Sequence, residues 1–276
     1  MGDDGQRATE KMVQTQRFES LYEKYNRREF VHPDPLEFLY KYQLLADREL
    51  VAMIASALAY GRVAQINASV STVLTRMGKS PRRFLERSSA GRVESTFNGF
   101  VHRFATGKEL TRLLTGIREV LACYGSLHRA FSEFVSPHHD TVLPAMSRFC
   151  RLIDDAAGGG IGHLLPMPDR GSACKRLNLF LRWMVRKDAV DPGGWDDIPA
   201  ALLIIPLDVH MHRIGRRLGF TDRKQADIRT ALEITSGFRW LTPEDPVRYD
   251  FALTRFGIRK DMCVEDFFNG FPLQAN

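Results

Sequence analysis

The chain has 276 residues, 44% of them hydrophobic and 26% charged, which is the balance of a folded protein that can bury a sizeable core. It has no apolar run long enough to cross a bilayer, and its N-terminus lacks the apolar segment of a signal peptide, so we expect neither a membrane span nor secretion. The net charge of +6 favours a polyanionic partner, although many basic proteins have none.

The first segments are a polar tail and two short helices. Residues 1–15 are polar and predict a flexible tail. Residues 18–25 carry apolar side chains at helical spacing. The next helix has complete start signals, because Asp34 suits the N-cap, Pro35 the first helical position and Glu37 a capping box.

Helical patterns continue along the rest of the chain, with almost no alternation of the kind that predicts strands. Residues 47–78 predict two helices with a break near Gly61. Asp245 and Gly257 mark the start and end of a last helix. Residues 202–207 are the only strand-like apolar run. Other helical patterns cover residues 81–89, 97–125, 128–137, 141–156 and 222–238. We therefore predict an all-α fold.

Residues 171–219 carry the side chains best placed for chemistry. Lys175 stands at the entry to one helical pattern. Asp208 follows the apolar run and precedes a second helix, where it can cap the N-terminus and remain ionised. Gly219 suits the end of that second helix.

This stretch resembles the active-site region of the helix-hairpin-helix DNA glycosylase superfamily, which includes endonuclease III and the 8-oxoguanine glycosylases. PLDVHMHRIGRRLG looks like the segment with the catalytic aspartate, and GSACKRLNLFLRWM places a lysine where lyase members have theirs. The resemblance is good over residues 171–258 and looser over 34–120. The whole chain looks closest to a bacterial family of conserved hypothetical proteins with this fold signature.

The resemblance implies a two-lobed helical fold with a DNA cleft between the lobes. Residues 16–276 would form one glycosylase-like domain after the tail. The first lobe would comprise about 34–165, and the second about 16–33 together with 166–276.

The chain departs from the superfamily at three points. Only Gly171 remains of the two closely spaced glycines of the hairpin that grips phosphate. The insertion DAVDPGGWDDIPA separates Lys175 from Asp208 by more residues than in endonuclease III. The iron–sulfur cysteines of endonuclease III are missing, because Cys123, Cys150, Cys174 and Cys263 are widely spread. We therefore expect no cofactor and no metal site, and a cytoplasmic monomer.

The resemblance assigns two catalytic roles. A glycosylase must stabilise the positive charge that grows on the sugar as the base departs, and a carboxylate does this electrostatically. A bifunctional enzyme adds an amine that attacks C1′ and forms a Schiff base. Lys175 would be this nucleophile and Asp208 the carboxylate. Without the resemblance, Asp208 reads as a plain helix cap and Lys175 as a solvated cation.

Further residues are candidates for contacts to double-stranded DNA. His210, Arg213 and Arg217 form a basic stripe on the second helix, and Arg176 follows the lysine. Gln65 falls near the place where the superfamily inserts a polar side chain into the duplex. Tyr60 and Arg62 are candidates in the same region, and the tryptophans Trp183 and Trp195 could stack on a base or belong to the core.

Three functions remain open from the sequence. The first is a DNA repair glycosylase with abasic-site lyase activity on a flipped damaged base. The second is a relative that binds nucleic acid but has lost its chemistry, which the altered hairpin favours. The third is a helical protein with a different partner or substrate, because a fold does not fix a function.

Overall fold

The computed structural model describes residues 3–258 and 267–268. It is mostly helical, which confirms the all-α prediction, whereas the glycosylase type of fold stays a prediction. The α-helices are α1 (Asp3–Tyr25), α2 (Leu45–Ala57), α3 (Val63–Met77), α4 (Pro81–Arg87), α5 (Ala90–Phe97), α6 (Gly107–Tyr124), α7 (Leu127–Ser132), α8 (Leu143–Ala156), α9 (Lys175–Val185), α10 (Val209–Arg217), α11 (Ile228–Leu241) and α12 (Asp250–Ile258).

Short elements fill several connections between the helices. Strands β1 (Val101–His102) and β2 (Ala105–Thr106) form an antiparallel hairpin directly before α6. Single-turn and short 3₁₀ helices occupy Arg28–Phe30, Pro35–Lys41, Gly162–Leu164, Pro168–Arg170 and Ala200–Leu202. In the apolar run at 202–207, Leu202 ends a 3₁₀ helix and residues 203–207 are irregular rather than a strand. The N–H of Ile205 donates to the Thr235 hydroxyl at 3.0 Å instead of to a neighbouring strand.

Three predictions for the first elements of the chain were wrong in part. Helix α1 already begins at Asp3, inside the predicted tail, because residues such as Glu10 and Lys11 favour a helix. Asp34 does cap its helix by accepting from the Leu36 N–H at 3.0 Å, but the element is a 3₁₀ helix. Glu37 pairs with His32 instead of closing a capping box.

The C-terminal helix also differs from its prediction. Helix α12 begins at Asp250 and includes Gly257, because the carboxylate of Asp245 pairs with Arg186 and does not cap a helix. Residues 259–266 and 269–276 of the predicted second lobe, including Cys263, lie outside the described residues, as do residues 1–2 of the predicted tail.

Other predictions are confirmed. Helices α2 and α3 are separated at Gly61, which has a φ of 100°. Helix α10 ends in the predicted glycine: Gly219 is left-handed, and the N–H of Phe220 donates to the Gly215 carbonyl at 2.9 Å, as in a Schellman motif. Helix α5 and the β-hairpin were not predicted, because their short lengths leave little periodicity to detect.

The helices that position the site pack closely on one another. Helix α9 packs along α2, and α1 packs against α11 and α12. Helix α6 packs against α8 so closely that a Cβ at Gly116 would lie 2.2 Å from the Ile153 carbonyl oxygen. Trp183 and Trp195 are both fully buried, which supports the core interpretation for each.

Two observations on the described part of the chain concern helix length and the state of the cysteines. None of the helices there is both long enough and apolar enough to cross a bilayer. Cys123, Cys150 and Cys174 are free thiols.

Candidate functional site

Two helix N-termini meet at the centre of the candidate site. Lys175 is the first residue of α9, and Asp208 is the N-cap of α10. The Nζ of Lys175 lies 3.0 Å from Oδ2 of Asp208, and both side chains remain partly exposed. The structure thus brings together the two residues that the sequence singled out for chemistry.

The two oxygens of the Asp208 carboxylate contact different groups. Its Oδ1 accepts from the backbone N–H groups of His210 and Met211, each at 2.9 Å, and so caps α10. Its Oδ2 faces Lys175. Burial alone would raise the pKa of Asp208, but the Lys175 ammonium and the N–H groups of the cap outweigh it and lower the pKa. The group is therefore an anion at neutral pH.

The backbone immediately before Lys175 is strained. Cys174, the N-cap of α9, has a φ of 47° and a ψ of 37°, a left-handed conformation that is uncommon for a residue with a side chain. Its N–H donates to the Ser172 hydroxyl at 3.2 Å, and the Asn178 amide donates to the Ala173 carbonyl at 3.1 Å. Strain of this kind concentrates at functional sites, where the surrounding contacts maintain it.

The segment that leads into α9 contains short 3₁₀ helices. Between α8 and α9, residues 157–174 contain two single-turn 3₁₀ helices and no α-helix. Gly171 is left-handed and exposed, and its carbonyl accepts from the Ile228 N–H at 3.2 Å. The neighbouring Ser172 forms a bridge with Asp227. Backbone contacts therefore hold the end of this segment against the start of α11.

A cavity of about 700 Å³ opens beside the Lys175–Asp208 pair. Its walls come from the segment before α3, from α9, from the start of α10 and from α12. Its apolar lining residues are Pro35, Ala59, Val63, Ile66, Leu179, Pro206, Leu207, Val209 and Ala226. Its polar lining residues are Asp34, Tyr60, Arg62, Lys175, Arg182, Asp208, His210, Asp250, Thr254 and Arg255.

Two buried arginines that the sequence did not single out for function also line this cavity. Arg182 is 2% exposed and pairs with Asp250 and with Asp191. Arg255 is 2% exposed and pairs with Asp34 at 2.9 Å. In the sequence, Arg255 stands inside an otherwise apolar helical stretch, whereas Arg182 shares a polar stripe with Asn178 and Arg186. Each buried arginine requires an acid as its partner, which sequence spacing alone could not identify.

The insertion between α9 and α10 supplies the counter-ions for α9. Asp191 is fully buried and accepts from both Arg182 and Arg186. Trp195 packs edge-on against Phe180, away from the cavity lining. The insertion is thus part of the core of the site and does not cover the pocket.

The predicted DNA contacts occupy different environments. His210 lines the cavity, and its ring packs against Gly257, where a Cβ would lie 2.3 Å from it. Arg213 and Arg217 are exposed on α10, and the Arg217 guanidinium also lies 4.1 Å from the centroid of the Phe268 ring. Gln65 is exposed on α3 but is not among the cavity-lining residues.

The guanidinium of Arg176 contacts other groups of the protein. Its guanidinium donates to the Ala57 carbonyl at 2.7 Å and to the His163 carbonyl, and it lies over the Tyr60 ring at 4.9 Å. These contacts make it a structural link between α9 and the segment before α3, and its contact to DNA stays a prediction.

Tyr60 and Arg62 fit the cavity better than Gln65 does. Both line it, and Arg62 is exposed at its rim. The Tyr60 hydroxyl donates to the His102 carbonyl at 2.9 Å, which fixes the ring against the β-hairpin. The side chain of Arg103 lies directly against Gly61, so the hairpin turn borders the same rim.

No cluster of three or more histidine, cysteine, aspartate or glutamate side chains within the described ranges is arranged to hold a metal ion. The polar groups of the candidate site include an amine, carboxylates, guanidinium groups, an imidazole and hydroxyls around a partly apolar cavity.

Comparison with known families connects this chain to one of them. Residues 34–259 match the model of a family described as "Protein of unknown function (DUF2400)". No curated protein and no solved structure matches the chain significantly. The matched range includes every residue of the cavity lining.

Proposed function

We propose that this chain, which belongs to the DUF2400 family, is a DNA glycosylase with abasic-site lyase activity. The observation that carries the proposal is the distance of 3.0 Å between the Lys175 amine and the Asp208 carboxylate, at two helix N-termini beside one cavity. An amine nucleophile and a fixed carboxylate are the two groups that this chemistry requires.

The reaction begins when Lys175 has released a proton. Its lone pair attacks C1′ of the damaged nucleotide as the bond between C1′ and the base nitrogen breaks, and the electron pair of that bond leaves with the base. The Asp208 carboxylate, held by its cap at α10, stabilises the positive charge on the sugar. The sugar ring then opens as the C1′–O4′ bond breaks and the nitrogen lone pair forms a double bond to C1′. A proton lost from the nitrogen passes to O4′, which leaves a Schiff base between Lys175 and C1′.

The cavity has a suitable size for a flipped nucleotide. Its volume of about 700 Å³ lies inside the ~300–1,000 Å³ that ligand pockets usually occupy. Enzymes that act on a base in a duplex must extrude it into such a pocket. The apolar wall of Ile66, Leu179 and Leu207 would accept a base edge or face without demanding hydrogen bonds.

Charge around the opening supports a nucleic-acid partner. The chain carries a net charge of +6, and Arg62 and Arg213 are exposed near the cavity and on α10. Each phosphate that such side chains neutralise releases counter-ions, which gives a favourable and salt-dependent contribution to DNA binding.

Borohydride trapping tests the proposal. A duplex with one abasic site, incubated with the protein and sodium borohydride, should give a covalent protein–DNA complex. Lys175→Gln should abolish this complex and keep most of the DNA affinity, because other basic side chains also face the DNA. Lys187→Gln, which removes an exposed lysine outside the cavity, is the matched control and should trap normally.

The alternative is a relative that binds DNA but no longer excises bases. The altered hairpin sequence before α9, in which only Gly171 remains of two closely spaced glycines, favours this alternative. DNA binding without trapping at Lys175, across duplexes with abasic sites and with a panel of damaged bases, would establish it. Absence of DNA binding at low salt would exclude both.

A further inference from the structure

The turn of the β-hairpin presents an exposed aromatic ring beside the cavity. Strands β1 and β2 are joined by Arg103 and Phe104 alone, and Phe104 is 70% exposed. The Arg103 side chain lies against Gly61, which lines the cavity. The centroid of the Phe104 ring lies 6.0 Å from that of the His163 ring. A single exposed apolar side chain is common on protein surfaces, so the case for a ligand depends on its position.

The fold alone does not explain the two residues of this turn. Two-residue hairpin turns need positive φ angles and therefore favour glycine, asparagine and aspartate. Arg103 nevertheless has a φ of 54°, in the left-handed region that residues with a side chain rarely occupy. Both Arg103 and Phe104 are exposed, so no core packing compensates for the strained backbone. Strained residues of this kind concentrate at binding and catalytic sites.

Hydrogen bonds hold the hairpin against the cavity wall. His102, the residue before the turn, is 2% exposed, and its carbonyl accepts from the Tyr60 hydroxyl at 2.9 Å. Because a carbonyl oxygen can only accept, its Nε2 donates to the Tyr60 carbonyl at 3.2 Å, and its Nδ1 accepts from the Ser69 hydroxyl at 2.8 Å. After the hairpin, Thr106 and Glu109 form the capping box of α6. The turn is therefore preorganised, and binding through it costs little conformational entropy.

Two guanidinium groups without an acidic partner stand at the same rim. Arg62 is exposed and lines the cavity, and the exposed Arg103 lies over the Phe104 ring at 5.4 Å. Neither guanidinium has an ion-pair partner within the described ranges. By contrast, the buried Arg182 and Arg255 of the cavity wall are paired with carboxylates. The rim thus combines an aromatic ring with two cations that are available to phosphate, which are the groups that a nucleotide's base and backbone can contact.

A base whose neighbour is missing from the stack matches this surface. Within an intact duplex, adjacent bases cover one another, and an aromatic side chain finds no open face. Where a nucleotide lacks its base or is extruded, the next base exposes a face on which an aromatic side chain can stack. Apolar side chains also enter base steps in proteins that distort DNA. The cavity that would receive an extruded nucleotide opens at Gly61, directly beside the turn.

We propose that Phe104 stacks on the base next to a gap in the DNA base stack, so that the protein binds duplexes at abasic or unstacked sites in preference to intact DNA. The inference rests on the DNA partner of the proposed function and not on the chemistry of Lys175. Phe104 fills the gap while an extruded nucleotide occupies the cavity, and Arg62 and Arg103 neutralise phosphates beside it.

The test compares the affinities for two duplexes by fluorescence anisotropy at one salt concentration. The duplexes share a sequence, and one contains a tetrahydrofuran abasic analogue, which has no hydroxyl at C1′ and cannot form a Schiff base. The parent should bind this duplex about 5–150-fold more tightly than the intact one, the range that stacking on one base usually contributes. Phe104→Ala should remove most of this preference, while its affinity for the intact duplex should stay within about twofold of the parent.

Val101→Ala is the matched control. Val101 is 66% exposed on strand β1 of the same hairpin, outside the turn. Because Val101 and Phe104 are both exposed, neither alanine variant should lose folding stability. Val101→Ala should keep the preference of the parent within about twofold. Equal loss in the two variants would assign Phe104 a general role in the hairpin and overturn the proposal, as would an undiminished preference in Phe104→Ala.

A second measurement locates the stacked side chain. Phe104→Trp keeps an aromatic ring and should retain the preference for the abasic-analogue duplex. Stacking on a base quenches tryptophan fluorescence, so this duplex should quench the variant and the intact duplex should not. The parent, titrated in parallel, accounts for the signals of Trp183, Trp195 and Trp240. Tight binding of the abasic-analogue duplex without quenching at position 104 would overturn the proposal.

This proposal and the proposed function fail through different results. Equal affinity of the parent for the two duplexes, together with borohydride trapping at Lys175, would overturn the role of Phe104 alone. A preference that depends on Phe104, without trapping on any lesion, would refute the glycosylase chemistry alone and support the stacking contact. Absence of binding to either duplex at low salt would overturn both.

Discussion

The Lys175 amine contacts the Asp208 carboxylate through Oδ2, while Oδ1 of the same carboxylate caps helix α10. One oxygen of Asp208 therefore stabilises the start of α10, and the other contacts the amine in the candidate site. Substitutions can separate these two contributions, because asparagine keeps an acceptor oxygen without charge and alanine removes both.

Asp208→Asn should reduce base release and spare the later chemistry. The variant keeps an oxygen for the cap but loses the charge that stabilises the sugar cation, and loss of one preorganised electrostatic group typically costs ~10²–10³ in rate. Opening of a preformed abasic site should fall much less, since the base has already gone. Single-turnover assays on the two kinds of duplex measure this difference.

The control for Asp208→Asn is its folding, followed by helical circular dichroism, which should match the parent. Equal loss on both duplexes would mean that Asp208 positions Lys175 and does not act on the sugar cation. Undiminished base release would remove Asp208 from the catalytic site.

Asp208→Ala should destabilise the protein more than Asp208→Asn does. Loss of an N-cap acceptor usually costs about 0.5–2 kcal/mol. Urea unfolding measures both variants. Ser89→Ala, which removes the cap of α5 outside the cavity, should show a comparable cost and full activity. Equal unfolding free energies for the alanine and asparagine variants would show that the Asp208 cap contributes nothing.

The part of the site that could be predicted from sequence is the part encoded by local signals. Asp208 follows an apolar run and precedes a helical pattern, so its capping role required only neighbouring residues. The end of α10 at Gly219 was predicted for the same reason. The pairing of Lys175 with Asp208 was expected only through the resemblance to glycosylases, because no local pattern joins two helices across an insertion.

The remainder depends on long-range partners. Arg182 appears in the sequence as a member of a polar stripe, but the structure buries it between Asp191 and Asp250. A long-range partner also explains Asp245. Its position in the sequence predicted a helix cap, but its carboxylate pairs with Arg186 instead. A charge pattern along one helix cannot reveal which distant acids neutralise it.

DNA binding should be salt-dependent and should involve α10. Each phosphate that the protein neutralises contributes about −0.9 to the slope of log K against log salt, so Arg213→Glu should flatten the slope by about one unit if Arg213 neutralises one phosphate. Fluorescence anisotropy on duplex DNA over a salt series measures the slope. Arg87→Glu makes the same charge change at an exposed position on α4 and should affect the slope less. Equal effects would indicate a response to net charge alone.

The close packing of α6 on α8 should not tolerate a side chain at Gly116. A Cβ there would lie 2.2 Å from the Ile153 carbonyl oxygen, so Gly116→Ala should destabilise the fold by about 1–3 kcal/mol. Gly91→Ala, in α5 with no atom within 4 Å of the new Cβ, should instead stabilise by about 0.4–1 kcal/mol. Denaturant unfolding measures both, and a neutral Gly116→Ala would mean that the two helices pack less closely.

Buried Asp250 should make the stability of the parent protein depend on pH in a way that Asp250→Asn removes. Its folded pKa of about 6 lies above the ordinary value of 3.8 because of burial, so the folded state holds a proton between these pH values that the unfolded state has lost. This contribution to stability is present in full below about pH 4 and is lost as pH rises through about 6. Relative to Asp250→Asn, the parent should therefore lose about 1–3 kcal/mol of unfolding free energy between pH 4 and pH 7, at about 1.4 kcal/mol per pKa unit.

Urea unfolding of both proteins across this range measures the difference. Parallel pH profiles of the two proteins would show that Asp250 remains ionised beside Arg182. The control is Asp34→Asn, which removes the partner of Arg255 and should still lose unfolding free energy between pH 4 and pH 7.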